Sequence, residues 1–133
     1  MSNIQTVQNI YAAFGRGDIP AILECLEENV IWEYDKVDSE IPWLEPRQGR
    51  TEVAKFFEAL LAVEFQTFQP KHLLESGNIV VSLNDVAFVV KATGKTVIEE
   101  DEIHIWHFGA RGQVVKFCHK TDTHRHWLAL REV

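Results

Sequence analysis

Two histidines on neighbouring predicted strands are the residues of this chain best suited to moving a proton. His104 lies in the segment 103–108, and His119 lies in 115–121, beyond the turn 109–112. Residues alternate with period two in both segments, which predicts two antiparallel strands joined at glycines that can take positive φ. With a simple register, both imidazoles lie on one sheet face and can exchange protons near neutral pH. The alternative is a pair of hydrogen-bonded core histidines.

Aromatic side chains surround this pair in the predicted sheet. The same alternation places four more residues on the histidine face: Trp106, Phe108, Val115 and Phe117. Elsewhere in the chain, the aromatic candidates for the wall of the same pocket are Phe14, Trp32, Tyr34 and Trp43. Taken singly, each is more typical of plain core than of a binding site. Together they predict an apolar, aromatic-lined substrate pocket.

Two further residues are candidates for catalysis. Tyr11, on the first predicted helix, could donate a hydrogen bond to a developing oxyanion, or could simply be helix core. Asp35 ends the first predicted strand and could serve as a general base, although a solvated loop charge is the stronger alternative. Tyr34 alternates with Trp32 and is therefore the better pocket candidate of the two neighbours.

Two other clusters contain charged residues or potential metal ligands. Alternate histidines at 124 and 126, with His119 and Asp122, offer nitrogen and oxygen ligands, but this spacing has low specificity for Zn²⁺. The sequence therefore predicts no metal and no cofactor. The acidic run 99–102 is interpreted as a solvated strand end or the rim of a subunit contact.

The elements that must position these residues are helices first and strands later. Periodicity predicts, in order, helix 3–14, a second helix capped by Asp18 with Pro20 in its first turn, strand 29–35, loop 36–49 and a third helix capped by Thr51. Strands follow at 63–75, 78–83 and 85–92, with Asn84-Asp85 as a turn, then the hairpin and a capping tail from His124 to Val133. This order predicts an α+β fold. We expect a single domain over 1–133, a cone-shaped barrel whose strongly curved, mostly antiparallel sheet holds three N-terminal-half helices on its concave side.

The amino-acid composition limits the kinds of molecule that the protein is expected to bind. The chain has 133 residues, 46% of them apolar, and a net charge of −7, which argues against nucleic acid or an anionic membrane. No apolar run approaches the roughly 20 residues of a membrane helix. Cys25 and Cys118 show no paired spacing, and the N-terminus lacks the pattern of a signal peptide, so we expect a cytoplasmic protein.

Several short motifs occur in the order found in one superfamily. They are Tyr11-Ala-Ala-Phe14 with Gly17-Asp18, Asn29-Val-Ile-Trp32, Gly49-Arg50, His104-Ile-Trp-His-Phe108, Gln113-Val-Val115 and Asp122-Thr123. Over almost its whole length the chain resembles the nuclear transport factor 2-like superfamily, and within it the SnoaL-like polyketide cyclases and ketosteroid isomerase relatives. The resemblance implies the cone fold and a homodimer that pairs through the outer sheet face. Ile103, Ile105 and His107 would form that face.

The resemblance also suggests roles for individual residues. In ketosteroid isomerases a tyrosine on the first helix and an acid on the penultimate strand form an oxyanion hole, and an aspartate on the first strand moves the proton. Tyr11 matches that tyrosine, His104 occupies the place of the acid, and Tyr34 or Asp35 falls near the base. SnoaL-like cyclases pair a histidine at the position of His104 with an aspartate where this chain has His119. The Arg-x-Asp pattern of related epoxide hydrolases is absent.

Two functions follow from these residues. The first is a protein that binds a small apolar carbonyl compound and acts on it as a cofactor-independent isomerase, cyclase or dehydratase. The alternative is a non-catalytic ligand-binding or dimeric interaction module of the same fold. The sequence leaves open whether the protein is an enzyme.

Overall fold

A computed structural model describes residues 2–34 and 41–131 of the chain. The helices are α1 (Asn3–Gly15), α2 (Ile19–Glu24), α3 (Arg50–Ala59) and α4 (Thr123–Leu130), with short 3-10 turns at Pro42–Leu44 and Leu60–Ala62. The strands are β1 (Leu26–Tyr34), β2 (Arg47–Gln48), β3 (Val63–Ser76), β4 (Ile79–Val90), β5 (Thr96–Phe108) and β6 (Val114–Lys120).

The six strands form one curved, unclosed sheet in the order β2-β1-β6-β5-β4-β3. Neighbours are antiparallel except for the parallel pair β1 and β6. Irregular registers interrupt four of the five strand pairs, and such bulges bend and twist a sheet. The predicted cone-shaped α+β fold is confirmed.

Local sequence explains where the first two helices begin. Ser2 and Gln5 form a reciprocal capping box at the start of α1. Asp18 caps α2 as predicted, with its carboxylate accepting the Ala21 N–H at 3.2 Å and Pro20 in the first turn. These caps satisfy backbone N–H groups that have no partner within the helix.

Two predicted boundaries are wrong. Helix α3 begins at Arg50 with Gly49 as its N-cap, so Thr51 lies inside the helix. Asn84-Asp85 is not a turn, because β4 runs unbroken through it with alternate side chains buried. Asn84 remains in the strand because its buried side chain is satisfied by the Ser82 hydroxyl at 2.6 Å and the Glu102 carbonyl at 3.2 Å.

The hairpin of β5 and β6 confirms the central prediction of a shared face. His104 lies directly opposite His119, and Trp106 lies opposite Phe117. The prediction that Val115 shares the histidine face is wrong. The strand register shifts beside Phe108, so Phe108 pairs with Val114. Val114 is therefore the buried residue.

A bulge in β5 corrects the interpretation of the acidic run. Asp101 adopts a positive φ of 57°, which Asp tolerates better than most residues. The bulge lets Glu99 and Glu102, three positions apart, both face inward, and they are only 6% and 4% exposed. Lys71 fixes the bulge from outside by pairing with Asp101 at 2.6 Å and Asp85 at 2.9 Å. The predicted solvated strand end is wrong for both glutamates.

The C-terminal segment of the described structure forms the last helix, α4. Asp122 caps α4 by accepting the Arg125 N–H at 3.1 Å, so the predicted capping tail is a helix. Among the helices of the two described ranges, none has the length and apolar character needed to cross a bilayer.

Candidate active site

The helices of the first half lie over the inner face of the sheet and enclose a narrow cavity. The cavity has a volume of about 80 Å³, several times what one water molecule needs. Its walls are aromatic and aliphatic except for a few polar residues at the base. The ring-bearing lining residues, besides histidines, are Tyr11, Phe14, Trp32, Trp43, Phe56, Phe57, Phe65, Phe68, Phe88, Trp106 and Phe117.

A chain of hydrogen bonds crosses one end of this cavity. The Trp106 indole N–H donates to the Tyr11 hydroxyl oxygen at 3.1 Å. The Tyr11 hydroxyl lies 2.7 Å from Nδ1 of His104, and Nε2 of His104 lies 2.9 Å from Oε1 of Glu102. Helix α1 supplies the tyrosine, and alternate positions of β5 supply the other three residues.

The partners of His104 fix its protonation. The ionised carboxylate of Glu102 can only accept, so Nε2 of His104 carries a proton and donates it. Burial lowers the pKa of His104, so the imidazole is neutral and its Nδ1 keeps a lone pair. The Tyr11 hydroxyl therefore donates to Nδ1 of His104 and accepts from the Trp106 N–H. Both ring nitrogens of His104 are thus engaged within the protein.

His119 lies beside the same carboxylate oxygen as His104. Its Nε2 is 2.7 Å from Oε1 of Glu102, the oxygen that also receives His104. The centroids of the two imidazole rings are 4.8 Å apart, with the ring planes almost perpendicular. Both rings line the cavity, so the predicted pair does face a common space.

Burial and charge set the pKa values of this cluster. Burial lowers the pKa of His104, which favours the neutral imidazole despite the adjacent Glu102. Burial alone would raise the pKa of Glu102, but the two histidines outweigh it and hold that pKa well below its usual range. Burial also raises the pKa of Tyr11, so its hydroxyl stays protonated. At neutral pH the cluster therefore combines a neutral hydroxyl, a neutral imidazole and an ionised carboxylate.

A second buried polar cluster adjoins the first. The Thr121 hydroxyl lies 2.6 and 2.5 Å from the two carboxylate oxygens of Glu99 and 3.3 Å from Oε2 of Glu102. His126, on α4, hydrogen-bonds Glu99 through Nε2. The Trp43 indole donates to Nδ1 of His126 at 2.9 Å. Since both nitrogens of His126 are engaged within the protein, only ring carbons remain for the cavity.

Among the described residues, two sets of side chains have the donor atoms of a metal site. Glu102, His104 and His119 form one set, and Glu99, Glu102 and His126 form the other, each with ligand atoms within 4.8 Å. The Trp43 N–H leaves the proton of His126 on Nε2, where a metal would need a lone pair. The ionised Glu102 carboxylate holds the proton of His104 on Nε2 in the same way. In these protonation states the Nε2–H groups of His104 and His126 donate hydrogen bonds to the carboxylates of Glu102 and Glu99.

The predicted site residues are mostly brought together. Tyr11, His104 and His119 meet at one end of the cavity, and five predicted pocket residues line it: Phe14, Trp32, Trp43, Trp106 and Phe117. Asp35 lies outside the described residues. The backbone of Tyr34 pairs with that of His119, and its side chain is outside the described part of the structure.

Four residues of the two polar clusters were missed as site residues: Glu99, Glu102, Thr121 and His126. Strict alternation cannot place Glu99 and Glu102 on one face, because it ignores the bulge at Asp101. Asp101 itself was a usable signal, since Asp is among the residues that tolerate positive φ. Asp122 was another, as an N-cap that begins a helix and turns His126 inward.

The fold and this site define the class of protein. A family model for the SnoaL-like domain matches residues 7–117, and the chain belongs to that family. An NTF2-like protein of unknown function from Burkholderia pseudomallei is 28% identical and superposes with a TM-score of 0.87, covering 98% of each chain. The predicted superfamily is therefore confirmed. No protein with a curated description matches the chain.

Two more distant structures share the fold. TerC, crystallised with polyporic acid, superposes with a TM-score of 0.82 at 20% identity over 96% of each chain. A candidate SnoaL-like polyketide cyclase from Mesorhizobium loti gives a TM-score of 0.73 at 12% identity, covering 91% of this chain and 100% of that one. At these identities the similarity establishes the fold alone.

Proposed function

We propose that this protein binds a small, largely apolar carbonyl or enol compound in the aromatic cavity and moves a proton on it with its own side chains. The reaction class is isomerisation, aldol-type cyclisation or dehydration. One observation supports this above the others: the hydrogen-bonded chain from Tyr11 through His104 to Glu102 ends in the wall of that cavity.

The cavity lining favours an apolar, flat ligand. Trp32 and Phe117 stack with ring centroids 4.1 Å apart, and Trp106 lies 4.5 Å from Phe117, which makes a continuous aromatic wall. Such a wall offers dispersion contacts to a ring and no hydrogen bonds. The ligand's oxygen would therefore be drawn to the polar end, where Tyr11 and His119 lie.

The proton step follows from the derived tautomer. A ligand hydroxyl gives its proton to the Tyr11 oxygen while the tyrosine proton passes to Nδ1 of His104. The resulting imidazolium is stabilised by the Glu102 carboxylate, much as the aspartate of a serine-protease triad stabilises its histidine. In the reverse direction the same groups protonate an enolate oxygen. In this proposal His104 acts on the ligand through Tyr11.

His119 is the second proton-transfer group in this proposal. It shares Oε1 of Glu102 with His104, so proton transfers at the two imidazoles are coupled through one carboxylate oxygen. Coupled groups of this kind divide into an acid and a base. We assign His119 to the ligand carbon or leaving oxygen, and Tyr11 with His104 to the carbonyl oxygen.

Two structures of the same fold bear on this proposal. TerC was crystallised with polyporic acid. The Mesorhizobium loti structure is a candidate polyketide cyclase.

The proposal is tested with small enolisable ketones in D₂O. We expect the protein to accelerate deuterium incorporation at the α-carbon of 2-indanone or 2-tetralone, measured by proton NMR. Glu102→Gln should lose about 10²-fold or more of that rate, because general acid–base catalysis contributes that much. Glu100→Gln is the matched control, since Glu100 is exposed on the same bulge. Equal rates in the two variants would contradict the proposal.

A binding module is the second candidate function. The observation that favours it is the complete internal engagement of His104, whose nitrogens already bond Tyr11 and Glu102. A binder should quench tryptophan fluorescence with the same ketones, since Trp32 and Trp106 line the cavity, and should show no deuterium incorporation.

We also propose a homodimer that works in the cytoplasm. Half-buried aliphatic residues alternate along the outer faces of β4 and β5, including Val81, Leu83, Ile103 and Ile105. Covering them with a second copy would remove apolar surface from water. Light scattering should give a dimer mass for the wild type and a monomer mass for Ile105→Lys. Cys25 and Cys118, both free thiols, suit a reducing compartment.

A further inference from the structure

We infer that Thr121 and Glu99 form a proton path between the buried histidine pair and a cleft on the outside of the molecule. The path gives the candidate active site a route to solvent that does not pass through the ligand cavity. Its purpose rests on the proposed function, whereas its existence can be measured without any substrate.

The two oxygens of Glu102 face opposite ways. Oε1 contacts both histidines at the cavity, 2.9 Å from His104 and 2.7 Å from His119. Oε2 lies 3.3 Å from the hydroxyl of Thr121, on the other side of the carboxylate. Thr121 in turn lies 2.5 Å from Oε2 of Glu99. The contacts are continuous from the imidazoles to Glu99.

A polar cleft on the outside of the molecule begins at Glu99, where this series of contacts ends. Glu99, Glu102 and Thr121 line it, together with Lys120 and Arg125. Of these residues, Glu102 also lines the ligand cavity, so its carboxylate is part of the wall between the two spaces. The cavity side offers water few polar partners, whereas the cleft side is rich in charges.

The Thr121 hydroxyl passes a proton on by accepting one and donating another. The imidazolium of His104 gives its proton to Oε1 of Glu102, and rotation of the carboxyl group turns this proton toward Thr121. It then bonds to the Thr121 oxygen while the Thr121 proton moves to Glu99, and Glu99 releases a proton to water in the cleft. The net change is one proton carried from His104 to solvent. Rotation of the hydroxyl resets the path, and the reverse sequence carries a proton inward.

Such a path matters when a ligand fills the cavity. An apolar molecule seated against Trp106 and Phe117 would separate the histidines from water at the cavity mouth. A base that has taken a proton must lose it before the next turnover. Thr121 and Glu99 are therefore positioning residues that serve Glu102, and they do not touch the ligand.

The test measures proton exchange between water and the imidazole N–H groups in protein labelled with ¹⁵N-histidine. Thr121→Val keeps the shape of the side chain and removes the hydroxyl, so exchange at His104 Nε2–H should slow by about tenfold or more. Thr121→Ser should restore the wild-type rate. Thr96→Val, at the exposed start of β5, is the matched control and should change nothing.

A second variant keeps the test decisive if Thr121→Val folds poorly. Glu99→Gln retains the shape of the side chain but cannot accept and release the proton, so it should slow exchange as well. Wild-type exchange in either folded variant would overturn the inference and place the route at the cavity mouth. Equal slowing in the valine and serine variants would also overturn it. Slowed exchange without ketone turnover would refute the proposed function and leave the path standing.

Discussion

Replacing Tyr11 with phenylalanine tests the hydrogen-bonded chain on which the site is built. The change removes a single oxygen, which accepts the Trp106 N–H at 3.1 Å and lies 2.7 Å from Nδ1 of His104. The aromatic ring itself is kept, so contacts with Phe68 and Trp106 persist. Any loss of stability therefore reports the hydroxyl.

The expected loss can be estimated from these two contacts. A neutral hydrogen bond contributes about 1 kcal/mol net, and a buried group left without a partner costs about 1 to 3 kcal/mol. Both bonds are broken, and the Trp106 N–H and the His104 nitrogen lose the hydroxyl as their partner. We expect Tyr11→Phe to lower the free energy of unfolding by about 2 to 4 kcal/mol.

The assay is urea unfolding at pH 7.5, followed by circular dichroism so that changes in tryptophan fluorescence do not interfere. A double-mutant cycle with Trp106→Phe separates the interaction energy between Tyr11 and Trp106 from the effect of each substitution alone. We expect a coupling energy of about 1 kcal/mol, because either change alone breaks the same bond. A Tyr11→Phe protein within about 0.5 kcal/mol of wild type, or additive effects in the cycle, would refute the hydrogen bonds that join Trp106, Tyr11 and His104.

Two further predictions concern the buried charges and the bulge. Because the pKa values of His104 and Glu102 are both lowered in the folded protein, the unfolded chain takes up more protons as the pH falls. The free energy of unfolding should therefore decrease from about pH 6.5 downward, and urea titrations that give the same value at pH 7.5 and 5.0 would contradict this. Asp101→Val should be less stable than Asp101→Asn by about 1 kcal/mol, since a β-branched residue suits positive φ poorly and Asn tolerates it. Thermal melts compare the pair, and equal melting temperatures would show that the backbone at Asp101 is not strained.

The sequence was sufficient for the fold and for the histidine pair. Period-two alternation on both sides of a glycine turn determined that His104 and His119 share a face, because a hairpin leaves few registers open. Tyr11 followed from the helical spacing and from the resemblance. These features depend on local pattern, which is what periodicity reports.

The inward position of the Glu99 and Glu102 carboxylates could not be predicted from the sequence pattern, for a physical reason. A bulge adds a residue without changing the hydrophobicity of its neighbours, so the inward turn of Glu99 and Glu102 depends on backbone geometry at Asp101. Val115 was misplaced by the register shift at the other end of the same strand. His126 was missed because its partners, Trp43 and Glu99, are 83 and 27 residues away in the chain.

The measurement that tests the central claim most directly is the pH dependence of ketone deuteration by the wild type and His104→Gln. If His104 supplies a proton through Tyr11 to the carbonyl oxygen, the wild-type rate should fall on the alkaline side of an apparent pKa that lies below the usual histidine value of about 6.5. That limb should disappear in His104→Gln and persist in His107→Gln, whose site lies on the outer face of β5. The same alkaline limb in all three proteins would contradict the account.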